Sequence, residues 1–353
     1  MIAWLVVAAS HGADPAAALT GREVYEQACA SCHGADGRGA PAGTSLTVVL
    51  PDFTDCTIAT SETTANWAGL VRHGGPFLGL SPQMPQFGDA LTEAEVIAVI
   101  AYVRDFCGDR RYPLGDLNFR RPVFVGKAFP EDEVVLGFEA AQGHRERELA
   151  YEIELEKRIG PRGWIETALP VGVVDATAQP LRAGVGDVSV AYHHILMAVP
   201  DWRAILSAGL GLGLPTGNRR HGVGAGTPVV TPELRAGRAL GPFVLQTQVL
   251  ASLPGDSTRA ERQMLYRLAL QAPLCPYKKC IVPAIELEQS QALDAAVHAA
   301  TLLAPALYLP LSRRGHVALG VAGELPVAGT RPFDWRLGAF LLWEYADGPF
   351  WSW

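Results

Sequence analysis

Cys29-Ala30-Ser31-Cys32-His33 puts two thiols one helical turn apart, with an imidazole beside the second. At that spacing each thiol can form a thioether to one edge of a haem macrocycle, and the imidazole lies where it can bind the iron. Two other chemistries use a C-x-x-C pair. A thioredoxin-like redox pair belongs near a βαβ pattern, and half of a zinc site needs a second C-x-x-C or an H-x-H cluster. Neither context is visible in this sequence. The motif therefore predicts one covalently attached haem c and one-electron chemistry.

A sixth ligand should follow downstream. Met84 is the one methionine between the motif and residue 190, in the proline-stiffened stretch Ser81-Pro82-Gln83-Met84-Pro85-Gln86-Phe87. A thioether there raises the reduction potential and suits electron transfer. Met is also a common core filler, and His73, in Val71-Arg72-His73-Gly74-Gly75, is the second candidate for the iron.

Two helices must position these groups. Thr20-Gly21-Arg22-Glu23 and Thr92-Glu93-Ala94-Glu95 both read as capping boxes, so each opens a helix. After the second, Val96, Val99, Ile100 and Val103 recur at helical spacing and form an apolar stripe for the first helix and the haem. Phe106-Cys107-Gly108 predicts the stop, with Gly108 as a left-handed cap.

Residues 21–107 resemble a class I monohaem cytochrome c. Cys29, Cys32 and His33 match its attachment motif; Met84-Pro85-Gln86-Phe87, Leu91-Thr92 and Ala101-Tyr102-Val103 match its methionine loop and last helix. The resemblance implies His33 and Met84 as axial ligands of the haem iron. The other four cysteines suit an oxidising compartment, and pairing Cys56 with Cys107 and Cys275 with Cys280 is expected; four free thiols or a metal pair would use the same residues. Residues 1–19, with an apolar run from Ile2 to Ala9, read as a leader that lacks a basic start. Residues 20–108 then form the small all-α cytochrome c domain.

Residues 109–132 are rich in Arg, Pro and Gly and read as a linker. From 133 to 353 the period becomes two. Leu149, Tyr151, Ile153 and Leu155 share one face of a strand, with Glu148, Glu152, Glu154 and Glu156 on the other. Trp335, Leu337, Ala339, Leu341, Trp343 and Tyr345 repeat the pattern against Arg336 and Glu344. Twelve such segments can be placed, near 133–142, 147–158, 163–173, 184–197, 202–214, 227–239, 242–253, 262–272, 280–290, 300–311, 316–326 and 334–346. Each is long enough to cross a bilayer when tilted. Short connections (159–162, 198–201, 240–241, 312–315) alternate with longer ones (174–183, 215–226, 254–261, 327–333), the pattern of an outer-membrane barrel with short periplasmic turns. A soluble β-sandwich or lipocalin-like barrel also alternates. Strands this long, in a chain with 49% hydrophobic and 18% charged residues, would demand a very large shared core.

The expected architecture is thus multidomain: the all-α cytochrome c domain, then an all-β antiparallel transmembrane barrel of about 12 strands. Ala183-Gly184-Val185-Gly186-Asp187 and Gly211-Leu212-Gly213-Leu214-Pro215-Thr216-Gly217 resemble the barrel family named for the meta-pathway of phenol degradation. The fusion as a whole resembles the cytochrome-porins of iron-oxidising bacteria. These resemblances imply an outer-membrane protein in contact with lipid, passing single electrons between an extracellular donor such as Fe(II), or an acceptor, and periplasmic redox carriers. A solute channel with an accessory cytochrome, and a barrel serving only as an anchor, are the other readings. Glu152, Glu154, Glu156, Glu286 and Glu288 face the expected lumen and could focus cations there, or serve as ordinary polar lining. His193 and His194 are adjacent on one strand, so they point to opposite faces and cannot clamp one metal. A net charge of −7 argues against nucleic acid.

Overall fold

Thr20 and Thr92 each carry a complete capping box, the Thr side chain meeting the backbone of Glu23 or Glu95 and the Glu side chain returning to the Thr N–H. These caps start α1 (Gly21–Val24) and α5 (Glu93–Asp105). In this computed structural model residues 18–144, 146–176, 182–221, 223–294, 299–347 and 350 are described; the apolar run at residues 2–9 lies outside them. From α1 the chain passes through a π-helical turn, Tyr25–Cys29, into α2 (Ala30–His33), and α3 (Cys56–Ala59) and α4 (Thr64–His73) follow. Val24 and Tyr25 pack on Val99 and Val103, and Ala68 on Val96 and Ile100. A β-carbon on Gly21 would lie 2.1 Å from the carbonyl oxygen of Ala98, so glycine is what lets α1 cross α5.

The end of α5 departs from expectation. Gly108 is not in the left-handed region. Phe106 and Cys107 instead donate to the carbonyls three residues back, Val103 and Arg104, at 3.2 Å each, which tightens the last turn. Cys107 then turns away into a disulfide with Cys56, Cα to Cα 4.9 Å.

From Glu133 on, strands dominate: β1 (Glu133–Gln142), β2 (Glu146–Ile159), β3 (Gly163–Ala176), β4 (Arg182–Val185), β5 (Ser189–Val199), β6 (Ala204–Gly213), β7 (Val229–Leu240), β8 (Phe243–Pro254), β9 (Gln263–Gln271), β10 (Val282–Ala292), β11 (Ala299–Pro310), β12 (Val317–Gly329) and β13 (Trp335–Glu344). β4 and β5 both pair with β3 and are two halves of one stave, so the ring has 12. Neighbours are antiparallel throughout, and β1 pairs with both β2 and β13, which closes the barrel. Leu149, Tyr151, Ile153 and Leu155 on β2 are 38–52% exposed while Glu154 and Glu156 are buried. Apolar outside and polar inside is the pattern of a barrel whose solvent is lipid.

The lumen is not empty. Residues 109–132 do join the helical unit to the barrel, but not as a solvated tether: Leu117 to Phe129 run inside it as a strap. Leu117, Phe119, Ala128 and Phe129 pack on Trp164, Ile195, Ile205 and Val244 of one wall, and Val123 packs on the Val135, Tyr308 and Phe340 cluster of the other. The wall makes room with glycine. A β-carbon on Gly237 would come within 2.7 Å of the Phe119 ring, and one on Gly338 within 2.6 Å of Phe124.

Polar lumen residues hold the strap's backbone and charges. Glu286 accepts the N–H groups of Val123 and Phe124 at 2.7 and 2.8 Å, Gln248 accepts that of Gly126 at 2.9 Å, and Gln246 and Gln271 donate to the Arg120 carbonyl at 2.7 and 3.1 Å. Arg121 reaches three carboxylates, Glu133 (2.8 Å), Glu154 (2.8 Å) and Glu156 (3.1 Å). Glu133, Glu154, Glu156 and Glu286 are thus engaged by the chain itself. Glu288 pairs with Arg267, and Glu152 is exposed. Arg121→Met should strip the cation from three buried carboxylates and cost about 3–5 kcal/mol. The thermal midpoint of the detergent-solubilised barrel should fall accordingly, and an unchanged midpoint would show that the strap does not rely on Arg121.

Candidate haem site beside a filled barrel

Cys29 and Cys32 are both free thiols, whereas the other four cysteines are paired, Cys56 with Cys107 and Cys275 with Cys280. The attachment sequence lies where the π-helical turn passes into α2. Tyr25, 1% exposed, anchors this stretch by donating its hydroxyl to the Gly34 carbonyl at 2.7 Å, one residue past His33. Its ring sits 5.4 Å from Tyr102 and 5.1 Å from Phe106, so α5 braces it from behind. Burial pushes the Tyr25 hydroxyl up to about 12, which keeps it a donor.

His33 stacks on Phe53, centroids 5.1 Å apart, and Phe53 in turn meets Trp67 at 5.9 Å. Its Nδ1 is buried without a hydrogen-bond partner. Burial lowers the imidazole's affinity for a proton, favouring the neutral form that can ligate iron. Burial also raises the Cys29 thiol to about 11, with the nearby Cys32 adding to it. Two free thiols, a neutral imidazole beside the second and a ring nitrogen without a partner fit the residue set that holds a c-type haem.

Met84 lies on a segment fixed by its backbone. Its carbonyl accepts from Gly75 N–H at 3.0 Å and its N–H donates to Ser81 at 3.2 Å. Gly74, at φ +77°, passes so close that a β-carbon would lie 2.9 Å from the Met84 carbonyl oxygen. Thr47 on the facing loop bonds Gln83 at 3.1 Å through its hydroxyl. His73 is exposed, with its ring 5.1 Å from Phe77. Of the two candidates, Met84 is therefore the one on the held loop.

Residues 16–103 match the family model described as cytochrome c oxidase, cbb3-type, subunit III. This helical unit is a cytochrome c domain. The cytochrome is fused to a barrel of the outer-membrane type. Solved structures similar to the barrel include an outer membrane channel from Pseudomonas putida F1, at 14% identity and a TM-score of 0.47 over 64% of this chain and 99% of that one. The NanC porin matches at 9% identity and a TM-score of 0.41, over 60% of this chain and 98% of that one. The KdgM porin matches at 10% and 0.39, over 60% and 99%.

The cytochrome docks at the barrel end where β1 begins and β13 finishes. The connections at this end are short, at 160–162, 200–203, 241–242 and 311–316, with one exception. The β9–β10 connection is long, carries the Cys275–Cys280 disulfide, and is the docking element. The N–H of Lys278 donates to Asn66 of α4 at 2.9 Å, with both residues buried. Lys278 Nζ lies 3.2 Å from Glu344 and 3.7 Å from Asp347. Tyr277 meets Phe77 edge to face at 5.1 Å, and Lys279 sits 3.5 Å over the same ring. Beside them, Gly115 N–H donates to Thr60 O at 2.6 Å, and Asp116 takes Thr64 Oγ1 at 2.6 Å and Arg104 at 3.2 Å.

Sequence reasoning missed Phe53, Asn66, Asp116 and Lys278. Only the disulfide around Tyr277-Lys278-Lys279 hinted that this connection has a structural task. Replacing Cys29 or Cys32 by Ala should remove one thioether, and the double variant should carry no haem through a denaturing gel. Met84→Ala should keep the fold and lower the midpoint potential in a redox titration. A potential equal to that of the wild type would exclude Met84 as an iron ligand.

Proposed function

We propose that this protein is an electron carrier anchored in the outer membrane, with a covalent haem c that Cys29 and Cys32 would hold and His33 and Met84 would ligate. One observation carries the reading: the cytochrome is latched to one end of a barrel whose lumen its own connecting strap fills. Bound there, a haem c supplies a one-electron Fe(III)/Fe(II) couple, and a His and Met ligand pair favours electron transfer over oxygen binding. The protein's own residues do the rest. Tyr25 and Phe53 fix the imidazole, Gly74 and Gly75 fix the methionine loop, and Lys278, Asn66 and Asp116 fix the domain on the barrel.

The end with short turns is the periplasmic one in barrels of this type, so the partners would be periplasmic redox carriers. The hydrocarbon core is roughly 30 Å thick. An electron path across it would need redox groups inside the lumen, where instead lie Phe119, Phe124, Phe129 and the ion pairs of Arg121. The same strap argues against a free solute path. Extracellular Fe(II) as donor and a channel for small solutes therefore have less support than the anchored carrier.

Reconstitution tests this. In liposomes loaded with a redox dye, the wild-type holoprotein should exchange electrons with a soluble cytochrome added on the haem side, with no change in the enclosed dye and no solute leak. Replacing Phe119, Phe124 and Phe129 together by Ala should open a measurable ion conductance in a planar bilayer. Solute flux through the wild-type barrel would overturn the plugged-anchor reading, and reduction of the enclosed dye without flux would point to a conduit.

A further inference from the structure

Under the strap, near the β1 start, ligand oxygens of Glu133, Glu154 and Glu156 lie within 4.8 Å of one another, and all three residues are buried. Arg121 does not exhaust them. It takes Oε1 of Glu133, Oε2 of Glu154 and Oε1 of Glu156. Glu154 Oε1 and Glu156 Oε2 are left buried with no hydrogen-bond partner, on residues 7% and 1% exposed. The remaining Glu133 oxygen faces Lys127 at 3.4 Å, which Glu131 shares at the same distance.

The charges do not cancel. Around Arg121 the three carboxylates of Glu133, Glu154 and Glu156 meet one guanidinium and a Lys127 ammonium shared with Glu131, which leaves negative charge over. Arg158 lies beside Glu131 and Asp132, and Arg235 pairs with Glu166 and Glu233 and flanks His193 with them. Buried charge of this kind is strongly unfavourable unless paired or neutralised. A carboxylate that gives one oxygen to a guanidinium can give the other to a metal.

The structure assigns a hard divalent cation, Ca²⁺ or Mg²⁺, to the second oxygens of Glu154 and Glu156 together with Glu133. The donor set is oxygen only, with neither thiolate nor imidazole, which selects these ions over softer metals. The ion neutralises the cluster and ties β1 and β2 to the underside of the strap through carboxylates that Arg121 already holds. It would be incorporated as the strap seats, and its loss would loosen the strap, not the haem site.

The test uses the full-length holoprotein purified in detergent without chelator. Elemental analysis should find one Ca²⁺ or Mg²⁺ per chain in addition to the haem iron, and which of the two is found decides the ion. Refolding in EDTA should remove it and lower the unfolding midpoint, and added Ca²⁺ or Mg²⁺ should restore both. Mn²⁺ added to the metal-free protein should occupy one site by electron paramagnetic resonance. Glu154→Gln and Glu156→Gln should each abolish that site, and Glu288→Gln, whose carboxylate Arg267 holds, should keep it. A folded wild-type protein with substoichiometric metal and a midpoint indifferent to EDTA, Ca²⁺ and Mg²⁺ would overturn the assignment. So would an infrared band of a protonated carboxyl that Glu156→Gln removes, because a proton would then supply the missing charge.

Discussion

Every strand of this barrel must turn apolar side chains to lipid, and that one constraint sends buried carboxylates, amides and His193 inward. Inside a wide barrel such groups are usually met by water. Here they are met by the protein. Arg121, Lys127 and the backbone of residues 120–126 supply donors and acceptors to Glu133, Glu154, Glu156, Gln246, Gln248, Gln271 and Glu286. The apolar strap residues meet apolar patches of the wall: Phe119 and Phe129 pack with Trp164, Ile195 and Ile205, and Val123 with Val135, Tyr308 and Phe340. Wall and strap are complementary in shape and in most of their hydrogen bonds, and the strap's backbone finds its partners on the wall.

The same segment governs the cytochrome. Within three residues the chain goes from Gly115, whose N–H bonds the cytochrome's Thr60, through Asp116, held by Thr64 and Arg104, to Leu117, completely buried in the barrel cluster. A β-carbon at Gly115 would lie 2.1 Å from the Ser61 carbonyl oxygen, so the approach depends on glycine. With so short a passage between two fixed points, the connection has little freedom to swing. The β9–β10 connection then adds a second attachment through Asn66 and Phe77, which restrains rotation about the first.

Much of this was legible in the sequence, and the reasons are physical. A period of two with glutamates opposite Leu149, Tyr151, Ile153 and Leu155 leaves few structures other than a sheet between two unlike media. Capping boxes at Thr20 and Thr92 are local chemistry, independent of tertiary context. The attachment sequence is likewise complete within five residues. The strap was not legible, because arginine, proline and glycine give a solvated tether and a lumen plug the same local signature. What distinguishes them is a set of partners more than a hundred residues away, Glu286 for Val123 and Gln248 for Gly126. The density of Phe119, Val123, Phe124, Val125, Ala128 and Phe129 was the available sign, since an exposed tether has no use for so many large apolar side chains. The stop of α5 was misread for a related reason. Gly108 has the local character of a cap, but the Cys56–Cys107 disulfide and the shortened last turn leave it nothing to do.

A barrel that serves only to keep a protein at the membrane could be joined to it by any flexible chain. The connection found here is the opposite, buried, charged and bonded at both ends, and it costs the barrel an open lumen. Rigidity of that kind matters when orientation matters. An electron carrier exchanges only where its partner can approach the haem edge, and productive encounters are limited by the orientational constraint of matching two patches. A freely tethered domain would present that edge to lipid and to the barrel rim as often as to a partner. Fixing α4 on Lys278 and the passage at Gly115 on Thr60 gives the domain one orientation with respect to the membrane plane. The filled lumen is then the support of the cytochrome domain as much as the closure of a pore.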